Sequence, residues 1–291
     1  MAATVWYSWL GSLWTAPGGA GTEQRAACRR AMGLVFLTAL LLSSAVLADD
    51  GAKLAQRVHD RPDGKDSTSA VTMSLTEEGK PARIRGMVVF RASAAGSQVS
   101  TLIRFTDPAD IQGTGLLTID GAGGVSNQWI YLPAMQRVRR VDSNRKGGRF
   151  VNSDYYFEDL RDRKPTMDAH RLLGRERVGD TDCEMLESVP VDASNSVYVR
   201  RVSWIDPKSL LPLRIDFFER NADQPSKRLL VVKREQIQGY WTVMDSTLND
   251  LASGHQTRLT VGRVLYDRNL PESLFTSRAL AEERVEREFR P

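Results

Sequence analysis

The sequence predicts a mainly β protein: one antiparallel sheet of many strands, strongly curved into a half-barrel, with short helices capping a hydrophobic cavity. Three observations predict it. Apolar and polar residues alternate with period two over most of the chain from Val71 to Tyr266, turn signals recur between the alternating runs, and helical periodicity is confined to two short stretches.

The first run, VTMSL, sets Val71, Met73 and Leu75 on one face and Thr72 and Ser74 on the other. RIRGMVVFR is apolar on both faces at its centre, and QVSTLIRF groups Val99, Ile103 and Phe105. The same rhythm returns in SVYVRRVSWI, LPLRIDFFE, KRLLVVKREQI, WTVMDSTL and HQTRLTVGRVLY. Between them stand Glu78-Gly79-Lys80-Pro81, Asp107-Pro108, Asp120-Gly121, Asp206-Pro207, Asn221-Ala222-Asp223 and Gln238-Gly239, all turn formers. Helical spacing is found in GAKLAQRVHD and in the final RALAEERVEREF. A twisted open sheet rarely stays flat beyond about 10 strands, so this one must curl. Two short helices cannot cover such a sheet, and a half-barrel with a partly capped apolar concave face follows. A filled sandwich core is the competing arrangement.

At the amino terminus Arg25, Arg29 and Arg30 precede the apolar run AMGLVFLTALLLSSAVLA, which closes on small residues at Ala45 and Ala48 before Asp49-Asp50. Cations, a short apolar segment and a small-residue stop form the pattern of a secretory signal peptide. Residues 1–48 are therefore expected to be removed after Ala48, and residues 49–291 to form a single periplasmic domain. The rival is an uncleaved anchor, but a bilayer core asks for roughly 20 apolar residues and this run falls short, with serines near its end. The leader takes Cys28 with it and leaves Cys183 alone, so no internal disulfide is expected. It also removes three arginines and one glutamate, lowering the net charge from +4 to +2. Charges of both signs alternate along the chain, which excludes a nucleic-acid footprint.

No catalytic constellation stands out. His59, His170 and His255 lie far apart, none with a partner at metal-ligand spacing, and they read as exposed or hydrogen-bonded strand residues. Cys183 sits mid-strand in DTDCEML without a nearby histidine and reads as a small core residue. The glycines of 121–124 and 147–148 lack a following lysine-serine pair and read as turns. Asp154, Glu158 and Asp159 have the chemistry of an acid/base pair, but a solvated, hydrogen-bonded loop is the favoured reading. No enzyme activity, cofactor or metal is expected.

One continuous piece is unusual: WIYLPAMQRVRRVDSNRKGGRFVNSDYYFEDL, residues 129–160, joins an aromatic strand, a basic turn and an acidic aromatic loop. Together with FTDPADIQGTGLLTID before it, this block resembles the outer-membrane lipoprotein-sorting family. The likeness is to its LolA-like branch, with the signature WLYLP…RVRR…GSF…S(D/E)…YEDL. WIDPKSLLPLRIDFFE, IQGYWTVMD, GHQTRLTV and LPESLFTSRAL extend the likeness from about Val71 to Leu280. Small departures touch only the loop: Phe157 on the approach to YEDL, and VNSD where the family often carries Met-Gly before the serine. The resemblance implies a curved antiparallel half-barrel with a helical lid over a hydrophobic cavity. It also implies carriage of lipids or lipidated proteins across the periplasm, in company with transporters of the resistance-nodulation-division (RND) type. The founding carrier's cavity arginine has no matching position here.

Lifting an acyl chain from a bilayer exposes apolar surface worth about 0.8 kcal/mol per CH₂, on the order of 12 kcal/mol for a long chain. A soluble carrier must offer an equivalent enclosure. Met73, Leu75, Val88, Phe90, Ile103, Phe105, Trp129, Leu213 and Phe217 are the expected cavity residues. Arg137, Arg139, Arg140, Arg145 and Lys146 are expected to meet anionic headgroups or an acidic partner, or else to latch onto Asp154, Glu158 and Asp159. The expected function is a periplasmic carrier of lipid or lipoprotein acyl chains. The alternative is a periplasmic lipid-binding sensor that regulates a membrane protein.

Overall fold

The computed structural model describes residues 49–94, 98–121, 123–142, 146–220 and 223–291. The expected leader, residues 1–48, therefore lies outside the described residues, as does Arg145.

A helix, α1, covers residues 49–59, and thirteen strands follow in a single sheet. The first six are β1 (Asp66–Thr76), β2 (Arg83–Ala94), β3 (Gln98–Asp107), β4 (Gly115–Asp120), β5 (Ser126–Leu132) and β6 (Arg137–Arg140). The next four are β7 (Asp168–Val178), β8 (Thr181–Pro190), β9 (Arg200–Ile205) and β10 (Pro212–Phe218). The last three are β11 (Lys227–Ile237), β12 (Tyr240–Asp250) and β13 (Gln256–Tyr266), and a short helix α2 (Ser277–Ala281) comes near the end. The alternating runs read from the sequence all fall within these strands or overlap them. The second expected helix is shorter than its periodicity suggests: α2 has five residues and the chain tightens into a 3-10 turn over Glu283–Phe289.

The strand order is β6-β5-β4-β3-β2-β1-β13-β12-β11-β10-β9-β8-β7, antiparallel throughout. It consists of two meanders, each made of consecutive hairpins, joined where the first strand pairs with the last. Met73 stands opposite Leu259, and Leu75 opposite Thr257. The β11–β12 hairpin shows how local chemistry sets a turn. Gln238 and Gly239 both adopt positive φ, 52° and 89°, as the two-residue turn that matches strand twist requires. The sheet is curved and does not close. Its two edges, β6 and β7, carry charges: Arg137, Arg139 and Arg140 on one, Arg171, Arg175, Glu176 and Arg177 on the other. Charged edges discourage pairing with a further strand.

Each face of the sheet is covered by a different part of the chain. On one face α1 lies at the β7–β9 end, where Leu54 and Ala55 pack against Leu186 and Ile205. It comes so close that a Cβ on Gly51 would sit 2.8 Å from the Arg171 nitrogen, so only glycine fits. Residues 146–167 cross the same face on their way from β6 to β7 and form a strap. Its Phe150 packs with Val71, Met73, Met87, Ile103 and Phe105. The strap and α1 mark this as the concave face. The other face of the first meander is covered by the segment after β13. Leu270, Leu274, Phe275 and Leu280 pack on Val88, Phe90, Leu102 and Leu117. A fully buried ion pair pins that segment: Arg104 Nε donates to Glu286 at 3.1 Å, and its other nitrogens donate to the carbonyls of Gly113 (2.7 Å) and Leu280 (2.8 Å).

Candidate functional site

The strap is anchored to the concave face by three buried carboxylates. Asp154 accepts from Thr257 Oγ1 and His255 Nδ1, each at 2.7 Å, and from Arg149 at 3.0 Å. Glu158 accepts from Ser196 Oγ at 2.5 Å and the Val197 amide at 2.7 Å. Asp159 accepts from Tyr198 Oη and from the Tyr156 amide, both at 2.7 Å, and from Lys227 Nζ at 3.2 Å. Lys227 itself is 1% exposed; it also donates to the Asp154 carbonyl at 2.9 Å and lies 3.2 Å from the centre of the Tyr156 ring. Burial pushes Asp159 up and Lys227 down; their mutual attraction and the tyrosine donors oppose that on the carboxylate. At the tip of the strap Val151 is held in the left-handed region, φ 46° and ψ 41°, which is costly for a β-branched residue. The Arg85 guanidinium donates to its carbonyl and fixes it there.

Between strap and sheet lies a chamber of about 450 Å³. Its floor comes from β1, β2, β3 and β13, with Val71, Met73, Val89, Ile103, Leu259 and Val261, and its roof from Phe150, Tyr155 and Leu160 of the strap. Arg91, Asp159, Arg161 and Asp162 supply its polar margin. A second chamber of about 400 Å³ lies on the far side of the strap, under α1, and is walled by Leu186, Ile205, Ile215, Phe217, Leu229 and Leu248. The two share Tyr155, Asp159, Arg161 and Asp162 in their linings. The concave trough is thus one apolar channel divided by the strap.

The nine expected cavity residues do not line one wall. Met73 and Ile103 line the first chamber and Phe217 the second. Leu75 and Phe105 belong to the same concave core, with the Phe105 ring tilted against that of Phe150 at 5.7 Å between centres. Val88, Phe90 and Trp129 lie on the opposite face beneath the C-terminal segment, and Ile130 rather than Trp129 faces the strap side. Leu213 also faces away: a bulge between Pro212 and Arg214 turns it toward Val202, Trp204 and Phe218. Where a strand is apolar on both faces, alternation separates the faces without saying which one looks into the cavity.

The basic residues are placed along the β6 edge. Arg137, Arg139 and Arg140 are exposed, and among the described residues none of the three pairs with a carboxylate. Arg140 donates to Asn127 and Lys146 to the Ser194 carbonyl. Among the described residues, no side chain of Arg137, Arg139, Arg140 or Lys146 latches onto Asp154, Glu158 or Asp159. Those carboxylates are taken instead by Arg149 of the strap itself and by His255, Thr257, Ser196, Val197 and Lys227 from the second meander and its turns. Sequence reasoning passed over Lys227 and Tyr198, whose signals, one lysine opening a strand and one tyrosine before another, are too common to single out. His170 bonds Ser188 and the Pro165 carbonyl, and burial lowers its pKa. Cys183 is a buried core residue. Among the described residues no three His, Cys, Asp or Glu side chains stand close enough to hold a metal ion.

A family model described as "Uncharacterized protein" matches residues 97–282. No curated protein matches the chain. Among solved structures, a DUF1329 family protein from Desulfovibrio piger is 30% identical, over 80% of this chain and 99% of its own, with a TM-score of 0.76. An outer membrane lipoprotein-sorting protein domain from Vibrio parahaemolyticus, a provisional designation, is 28% identical over the same shares with the same TM-score. A LolA superfamily protein from Nitrosomonas europaea shares the fold at 18% identity, over 79% of this chain and 97% of its own, with a TM-score of 0.60. A shared fold thus accompanies sequence likeness over 80% of the chain, and the chain belongs to the DUF1329 family, within the LolA-like fold of outer-membrane lipoprotein-sorting proteins.

Proposed function

We propose that this protein is a periplasmic carrier that takes up lipid, or the acyl chains of a lipoprotein, in the concave trough and delivers them to a membrane or transporter partner. The observation that carries the reading is the largely apolar chamber lying between Phe150, Tyr155 and Leu160 above and the β1–β3 and β13 floor below. Its 450 Å³ falls within the range of about 300–1,000 Å³ usual for small-molecule sites. The designation of the Vibrio parahaemolyticus relative points the same way. In this reading residues 1–48 are a cleaved leader and the domain from Asp49 works outside the inner membrane. The exposed arginines of β6 give it an edge for an anionic bilayer or an acidic face of an RND-type transporter. Catalysis is disfavoured because the three strap carboxylates are each buried and saturated with structural hydrogen bonds. The sensor alternative would use the same chamber, with the partner's response rather than delivery as the output.

The test is an apolar, environment-sensitive dye with the purified protein. The dye is expected to bind at one site and to be displaced by long-chain lipid, and lipid extracted from the native protein should be identifiable by mass spectrometry. Val89→Trp places a large ring in the chamber. It should reduce dye affinity by at least about tenfold while costing no more than about 1–3 kcal/mol in stability. Unchanged dye binding in a folded Val89→Trp protein would sink the assignment of this chamber.

A further inference from the structure

Three arginines gather where the two chambers meet. Arg161 lines both, Arg91 lines the first from β2, and Arg61 lines the second from the turn after α1. Each has a buried guanidinium nitrogen with no hydrogen-bond partner among the described residues: Nε of Arg61, Nη1 of Arg91 and Nε of Arg161. Their remaining nitrogens are used to hold them still. Arg61 donates to the Val58 carbonyl at 3.0 Å, Arg91 pairs with Asp63 at 2.8 Å, and Arg161 donates to the Gly124 carbonyl at 3.2 Å. Arg61 and Arg91 are close enough to repel each other. The nearby carboxylate Asp162 is already engaged by Lys164 at 2.6 Å. Burial disfavours the charged forms of Arg61 and Arg161, yet guanidinium stays protonated in proteins. Asp63 offsets charge on Arg61 and Arg91, and Asp120 and Glu158 offset charge on Arg161, but the cluster still holds three unsatisfied donors at the mouth of an apolar channel. Buried donors are rarely left unpaired without a purpose.

We propose that Arg61, Arg91 and Arg161 form a seat for the phosphate or carboxylate head of an anionic amphiphile whose acyl chain lies in the adjoining chamber. The proposal rests on the carrier reading above and narrows it to anionic cargo. A guanidinium fork presents paired N–H donors in the spacing of a phosphate or carboxylate, and such charge-assisted bonds are roughly twice as strong as neutral ones. Chain and head would then be read separately, the chain by apolar enclosure and the head by charge. The seat is distinct from the basic β6 edge, whose arginines are exposed and suited to a surface rather than to an enclosed group.

The experiment compares two single-chain probes below their micelle concentrations: 1-palmitoyl-glycerol 3-phosphate and uncharged 1-palmitoyl-glycerol, each titrated against the dye-loaded protein. The phosphate-headed probe should bind at least about tenfold more tightly, and the ratio should fall below about threefold in Arg61→Gln and in Arg91→Gln. Equal affinity of the two probes for the unaltered protein would overturn the anionic seat and leave the chamber standing. Failure of both probes would overturn the seat and the carrier reading together. A ratio unchanged in both variants would overturn the assignment to these arginines. Inorganic phosphate is the third arm: affinity equal to that of the lipid phosphate would make this a site for the free anion and refute its link to the chain. The head-group comparison on the unaltered protein decides the matter even where a variant does not fold.

Discussion

Lys227 is an amine at 1% exposure whose pKa burial lowers, and its surroundings show what such a residue needs. Asp159 neutralises it at 3.2 Å, the Asp154 carbonyl accepts a second bond at 2.9 Å, and the Tyr156 ring faces it at 3.2 Å. Removing one partner of a buried pair leaves the other charge uncompensated, which typically costs about 3–5 kcal/mol, whereas removing both is often close to neutral. Lys227→Met is therefore expected to lower stability by about 3–5 kcal/mol in chemical denaturation. The double variant Lys227→Met, Asp159→Asn should recover more than half of that loss, since asparagine can still accept from Tyr198. No recovery in the double variant would mean that Lys227 acts through its contact with the tyrosine rings and not through the carboxylate.

Among the elements, the strap and the β6 edge divide the work. The strap is tied to both meanders: Lys227, His255, Thr257 and Asp250 hold it from the second, and Arg85, Asp120 and Gln128 from the first. The β6 edge is free of that network. Because Arg139 and Arg140 pair with no described carboxylate, changing both to glutamate should move the melting temperature by less than about 2 °C, the range of exposed charge changes. The same change should slow transfer of bound lipid to anionic vesicles. In the unaltered protein the transfer rate should fall as salt shortens the screening length from about 10 Å at 0.1 M toward 3 Å at 1 M. A transfer rate indifferent to both salt and the charge reversal would exclude the edge as a docking surface.

For the whole molecule, buried carboxylates of two kinds set the response to acid. For Asp206, Asp216 and Asp250 burial alone would raise the pKa. Ser209 and the Lys208 amide at Asp206, Arg228 and Arg214 at Asp216, and the Ser253 amide and Arg149 at Asp250 outweigh it, and all three end below the ordinary value. A depressed folded pKa adds stability that is present above the unfolded value and is lost as pH falls through the folded one. Asp120 and Asp159 are raised, chiefly by burial, so their contribution is present below the unfolded value and is lost as pH rises through the raised one. The two sets oppose each other. The melting temperature is expected to hold or rise slightly on mild acidification from pH 7, then to fall below about pH 4. A steady decline beginning above pH 6 would show that the raised pair does not behave this way.

Much of this was determined by local sequence. Period-two runs and turn dipeptides specified the strands, and Gln238-Gly239 specified its own hairpin, because these depend on side-chain direction and backbone φ within a few residues. The residue order in 129–160 marked the strap and the basic edge before either had a position. Tertiary structure alone decided the rest. Pairing of β1 with β13 joins residues nearly 200 positions apart and turns two meanders into one trough, a choice no local pattern encodes. Which apolar face becomes cavity and which becomes core was decided by the covering segments: the C-terminal stretch buries Val88, Phe90 and Trp129, and the strap leaves room over Met73 and Ile103. The bulge at Leu213 reversed one more residue. The arginine cluster at the chamber mouth shares that origin, since α1, β2 and the strap bring Arg61, Arg91 and Arg161 together only when the sheet has curled. Alternation is a property of one strand, but enclosure is a property of whatever the folded chain lays across it.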